Sequence, residues 1–143
     1  MSAFITKKGI SLEAARAVLD AAIDAASGIE GGFSIVILDE AGDLKASART
    51  DGAGVASVQA ATDKAYTTVA TGLTPKQWGE YTAADPAMAA GAQGMARLIM
   101  FDGGYPFEVD GEVIGAIGVS GGHYEQDARI AQAGVVALVG LAG

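Results

Sequence analysis

Cysteine is missing from this chain, and histidine appears once, at His123. The first absence excludes disulfides, thiolate nucleophiles, Cys-ligated zinc and iron–sulfur clusters. The second excludes a His-pair metal site within one chain. Positive charge is also scarce: nine Lys and Arg stand against 17 Asp and Glu, a net charge of −8. Such a surface repels phosphate, so neither nucleic acid nor an anionic membrane is expected as a partner. Long apolar runs are absent too. The richest windows, Val113 to Val119 and Val135 to Leu141, are too short to span a bilayer, and Met1 to Ser11 carries no signal-like apolar stretch. A cytoplasmic location is therefore expected, with the 143 residues forming one domain.

What the chain does hold is glycine, 21 residues and roughly twice the usual ~7 %. Seven of the twenty residues from Gly103 to Gly122 are glycine. Gly115 and Gly118 fall inside a strand pattern, which points to the close approach of another backbone or a ligand.

Periodicity and punctuation give the elements. Ser11 is a good N-cap with Glu13 in the first turn, and Leu12, Ala15, Leu19, Ala22, Ile23 and Ala26 recur at helical spacing before Gly28. Phe33 to Leu38 reads as a strand, Asp39 to Asp43 as a turn, and Leu44 to Arg49 as an antiparallel partner. Asp51-Gly52-Ala53-Gly54 opens a second helix whose Val55, Val58, Thr62, Ala65 and Val69 share one face. Thr74-Pro75 starts a short helical turn through Trp78. Glu80 to Gly94 reads as a long irregular loop or a broken helix. Met95 to Phe101 reads as a strand, and Pro106–Val109 faces Glu112–Val119 across Asp110-Gly111, a pair suited to a type I′ turn. A last helix covers about Tyr124 to Val139. Strands grouped between helices make this an α+β domain with a five-stranded sheet.

His123 is the first chemical candidate, set between a glycine pair and a helix start. A lone imidazole there can act as acid, base or metal ligand, and Asp127 four residues on can share its face and orient the ring. The bland alternative is an exposed His with no role. Arg49 and Asp51 place a cation and an acid where a strand meets a glycine-rich helix entry, fit either for a ligand carboxylate or for a structural salt bridge and cap. Lys64 is either a solvated helix residue or the partner of an acid on the sheet. No phosphate loop, dinucleotide fingerprint or nucleophile elbow is present.

The blocks Asp39-x-x-Gly42-x-Leu44, Arg49-x-Asp51-Gly52, Asp63-Lys64-Ala65, Gly103-Gly104-x-Pro106 and Asp110 to Gly122, followed by Gln126-Asp127, resemble the GlcG/HbpS-like family. That family includes haem-binding HbpS proteins and the carboxy-terminal domain of PduO-type proteins. The resemblance implies a profilin-like α+β fold with a five-stranded antiparallel sheet flanked by helices, assembled as a homo-oligomer. It also implies the binding of haem or another small molecule. Arg49, Asp51, Lys64, Gly104, Tyr105, Gly121, Gly122 and His123 are then the candidate ligand-binding residues, with His123 a candidate axial ligand of haem. The family pattern carries Thr and Val where this chain has His123 and Tyr124. An alternative expectation is an enzyme in which His123, helped by Asp127, moves protons on a small oxo- or hydroxy-carboxylate held by Arg49 or Lys64.

Overall fold

The computed structural model describes residues 1–142. Their order is α1 (Leu12–Ser27), β1 (Ser34–Asp39), β2 (Leu44–Arg49), α2 (Ser57–Thr71), α3 (Pro75–Ala83), α4 (Pro86–Ala92), β3 (Gly104–Val109), β4 (Glu112–Ser120) and α5 (Tyr124–Ala142). The strands form one antiparallel sheet in the order β2-β1-β4-β3.

Central strand β1 shows how the layers arise. Its side chains alternate between faces, as the strand period of two requires. Ile35 and Ile37 join Val18, Phe107, Ile117 and Ile130 beneath α1 and α5. Val36 and Leu38 point the other way, onto Ala61 and Ala65 of α2. Both faces are covered, so β1 is apolar throughout its middle.

Several local expectations hold. Ser11 caps α1 by accepting from the Ala14 N–H at 3.1 Å. Thr74 and Gln77 form a reciprocal capping box at the start of α3, with Pro75 in the first turn. Asp110 and Gly111 both take positive φ, 51° and 78°, as a type I′ turn demands.

The sheet has four strands, not five. Met95 to Phe101 pairs with no strand, and two of its backbone groups are taken by a side chain of α2. The Thr67 hydroxyl on α2 donates to the Arg97 carbonyl at 3.1 Å and accepts from the Ile99 N–H at 2.9 Å. Arg97 itself sits at φ 70°, which breaks an extended run. The stretch from Glu80 to Gly94 is the broken-helix option: α3 continues through Ala83, and α4 restarts at Pro86 under the Asp85 cap.

The inward face of α2 also differs from its expected apolar stripe. Val55 and Val58 are exposed, and the helix turns Ser57, Ala61, Lys64, Ala65 and Thr68 inward. The cause lies across the layer at Gly118, where an added Cβ would run into the Ala61 carbonyl. The small Ala61 and Ala65 facing Gly118 permit so close an approach. The glycine expected to accommodate another backbone does so, and the backbone is that of α2.

Candidate functional site

The site grows from the turn that leaves β4. Gly121 takes φ 144° and lies against the Gly32 carbonyl, so no side chain fits there. Gly122 donates its N–H to Asp127 Oδ1 at 3.1 Å. The His123 carbonyl accepts from the N–H groups of Gln126 and Asp127, and its own N–H donates to Gln126 Oε1 at 3.1 Å. The imidazole completes the cap: Nδ1 accepts from the Glu125 N–H at 3.3 Å. His123 is thus the N-cap of α5, doing with a ring nitrogen what Ser or Asp usually does with oxygen. With Nδ1 accepting, the neutral ring carries its proton on Nε2. The ring is exposed and rests beside Tyr124, with centroids 4.0 Å apart.

Below this cap lies a charge pair that local sequence does not reveal. Lys64 of α2 donates to Asp127 Oδ2 at 3.0 Å and to the Val119 carbonyl at 2.8 Å. Both side chains are buried, 3 % and 2 % exposed. Removal from water pushes the Asp127 carboxyl above its ordinary range, and the Lys64 ammonium and the Gly122 N–H pull it part of the way back. Lys64 is therefore not solvated, and the acid it pairs with lies on a helix, while its bond to the sheet goes to the Val119 carbonyl of β4.

Over this floor runs an open groove of about 370 Å³. Ile99, Phe101 and Tyr124 give it apolar walls, Lys64, Asp127 and His123 its polar points, and Ala60, Ser120 and Gly122 the rest of its lining. Phe101 and Tyr124 also wall a neighbouring hollow with Lys76, Met100, Asp102 and Glu125. On the other side, Ser120 and Gly122 are shared with a shallow hollow lined by Gly54, Ser57 and Gly121.

Of the residues named from sequence, Lys64, Gly122, His123 and Asp127 meet in the groove, with Gly121 next to it. Arg49, Asp51, Gly104 and Tyr105 do not line it. Arg49 ends β2, opposite Ser34, exposed and in no ion pair among the described residues. Asp51 lies in the exposed turn before α2. Gly104 is buried where a Cβ would meet the Lys64 carbonyl and the Pro75 ring, a packing role. The Tyr105 hydroxyl donates to Asp102 at 3.3 Å and accepts from Gln132 at 3.2 Å, and its ring packs toward α5. Ile99 and Phe101 were missed because their segment reads as a strand. The exposure of Phe101 beside Asp-Gly-Gly only becomes visible once the segment is placed.

His123 and Asp127 share no hydrogen bond: the carboxylate is committed to Lys64 and Gly122, the imidazole to Glu125. The described residues hold no cluster of catalytic groups supporting the enzymatic alternative, and no set of three or more His, Asp or Glu side chains able to hold a metal ion. No described helix is long and apolar enough to cross a membrane.

Fold and groove define an α+β domain with a helix-covered four-stranded sheet and an open cleft at the start of its last helix. The chain belongs to the HbpS-like family, described as haem degrading protein HbpS-like, which matches residues 10–136. Among its relatives is an uncharacterized 15.0 kDa protein from the dhaT–dhaS intergenic region of Citrobacter freundii, 36 % identical over 107 residues, which are 70 % of each chain. Among solved structures, Klebsiella pneumoniae protein ORFY is similar with a TM-score of 0.90, 26 % identity and 97 % of both chains covered. A complex of PduOC with haem is similar with a TM-score of 0.82 and 27 % identity, covering 90 % of this chain and 94 % of that one.

Proposed function

We propose that the groove at the start of α5 binds a flat, largely apolar small molecule with acidic substituents, and that haem is this ligand. One observation carries the reading: the aromatic and aliphatic walls of Phe101, Tyr124 and Ile99 stand over a buried cation–carboxylate floor, with the only imidazole at the rim. The family relationship and the haem complex of a similar structure support it.

The residues suit such a group in three respects. Apolar walls exclude water from a porphyrin face. Lys76, in the adjoining hollow, offers an exposed cation for a carboxylate. His123 offers Nε2 to iron, provided the ring proton moves to Nδ1 and the weak bond from Glu125 is given up. Bound haem brings iron redox and oxygen chemistry. The chain's own part would be to hold the group, to neutralise its acids through Lys76 and to offer a nitrogen from His123. Self-association and a cytoplasmic location complete this reading.

The test is a titration of the purified protein with haem, followed in the Soret region. A shifted Soret band is expected, with affinity reduced at least tenfold and the band position changed in His123→Ala. An unshifted spectrum, or a His123→Ala protein indistinguishable from the wild type, rejects the assignment.

A further inference from the structure

His123 follows two glycines, whose backbone fixes little by itself, so the direction of the only imidazole is set by what the turn is bonded to. Three side-chain hydrogen bonds reach it. Asp127 Oδ1 accepts from the Gly122 N–H at 3.1 Å, but that carboxylate is buried and already engaged with Lys64 in joining α2 to α5. The imidazole Nδ1 accepts from the Glu125 N–H at 3.3 Å, a long bond that forms only once the ring points the right way. The third belongs to the His123 backbone, whose N–H donates to Gln126 Oε1 at 3.1 Å.

Gln126 holds His123 on both sides. Its side chain takes the His123 N–H, and its own backbone N–H donates to the His123 carbonyl at 2.9 Å. The peptide planes before and after His123 are thus tied to one residue, as when a Gln in the first turn of a helix reaches back to the cap. The packing admits that side chain by omitting another. A Cβ on Gly122 would run into Gln126 Oε1 and the edge of the fully buried Phe33 ring. Glycine at 122 leaves the space through which the amide reaches His123. Gln126 lines neither the groove nor the two hollows beside it, so its influence on a ligand passes through His123.

We propose that Gln126 is a positioning residue: by binding the backbone of His123 on both sides, it holds the Cα–Cβ direction that brings the imidazole to the rim of the groove. This rests on the reading that His123 meets the groove's ligand, and extends it to a residue that touches none. Positioning differs from capping in what it fixes, a side chain and not only a helix end.

His123 is the only histidine, so its side-chain couplings are read without overlap. In the ligand-free protein, labelled with ¹³C and ¹⁵N, three-bond couplings about χ1 should report a single His123 rotamer. Gln126→Leu and Gln126→Ala, which both remove the acceptor, should give rotamer-averaged couplings. Gln126→Glu, which keeps an acceptor there, should restore the single rotamer. Haem titration is the second readout. The two variants without the acceptor should bind about threefold more weakly or worse, with a displaced Soret band, and Gln126→Glu should match the wild type within about twofold. In a His123→Ala background, Gln126→Leu should add nothing. A melting temperature that falls while the His123 couplings remain those of one rotamer would reveal an ordinary helix cap and overturn the proposal. Averaged couplings in the wild type would overturn it too, as would an effect of Gln126→Leu on haem affinity that persists in His123→Ala. An unshifted Soret band in the wild type rejects haem as the ligand, and the couplings then decide the role of Gln126 by themselves.

Discussion

Lys64 and Asp127, 63 positions apart in the chain, meet at 3.0 Å with both side chains out of water, and this contact ties α2 to α5 beneath the groove. Removing one partner leaves the other buried and unpaired. Lys64→Met is expected to cost about 3–5 kcal/mol in urea unfolding. Adding Asp127→Asn, which removes the stranded charge and keeps an acceptor for Gly122, should recover most of that loss. A double variant no more stable than Lys64→Met would show that the pair is not the source of the cost.

The same carboxyl sets a pH dependence. Burial raises the folded-state value of Asp127 above its ordinary 3.8, so the folded chain binds this proton more tightly than the unfolded chain does. Its contribution to stability is therefore fullest below 3.8 and declines as pH rises through the raised folded value. Asp127→Asn cannot titrate there. The stability of the wild type minus that of Asp127→Asn, from urea unfolding at several pH values between 4 and 7, should fall as pH rises; a difference that grows with pH contradicts the assigned direction.

Gly118 and Gly111 offer a contrast between two glycines. Gly118→Ala drives a methyl into the Ala61 carbonyl of α2, where the backbone cannot give, and should destabilise by at least about 2 kcal/mol. Gly111 has open space around it at φ 78°, so Gly111→Asn should cost less than about 1 kcal/mol. Thermal unfolding of the two variants decides this, and equal losses would refute the close-approach argument.

Thr67 holds the segment that walls the groove, where Ile99 and Phe101 face the cleft. Thr67→Val removes both hydrogen bonds at nearly constant volume. It should cost about 1–3 kcal/mol and speed hydrogen exchange at the Ile99 amide. An unchanged exchange rate at Ile99 would mean that the segment is held by other contacts.

Local chemistry made much of the frame legible. Ser11, Thr74-Pro75 and Asp110-Gly111 act through atoms within a few residues of themselves, so the cap, the helix start and the hairpin turn could be read in order. The Gly121-Gly122-His123 entry to α5 was also visible, because a glycine pair followed by a helix start is a local signal. The five-stranded profilin-like sheet expected from the pattern and the family resemblance is overturned: the structure is α+β with helices flanking four antiparallel strands.

What the sequence determined by itself, then, was the inventory of elements whose backbone groups are satisfied nearby, together with the region where chemistry collects. Tertiary structure alone decided the rest. Met95 to Phe101 has the composition of a strand, yet a hydroxyl from α2 takes the hydrogen bonds at Arg97 and Ile99. Lys64 has the look of a surface cation, yet its partner is Asp127, and Asp127 is thereby withdrawn from His123. Hydrogen bonds and ion pairs between distant positions depend on where the chain folds back, and no local pattern encodes that distance.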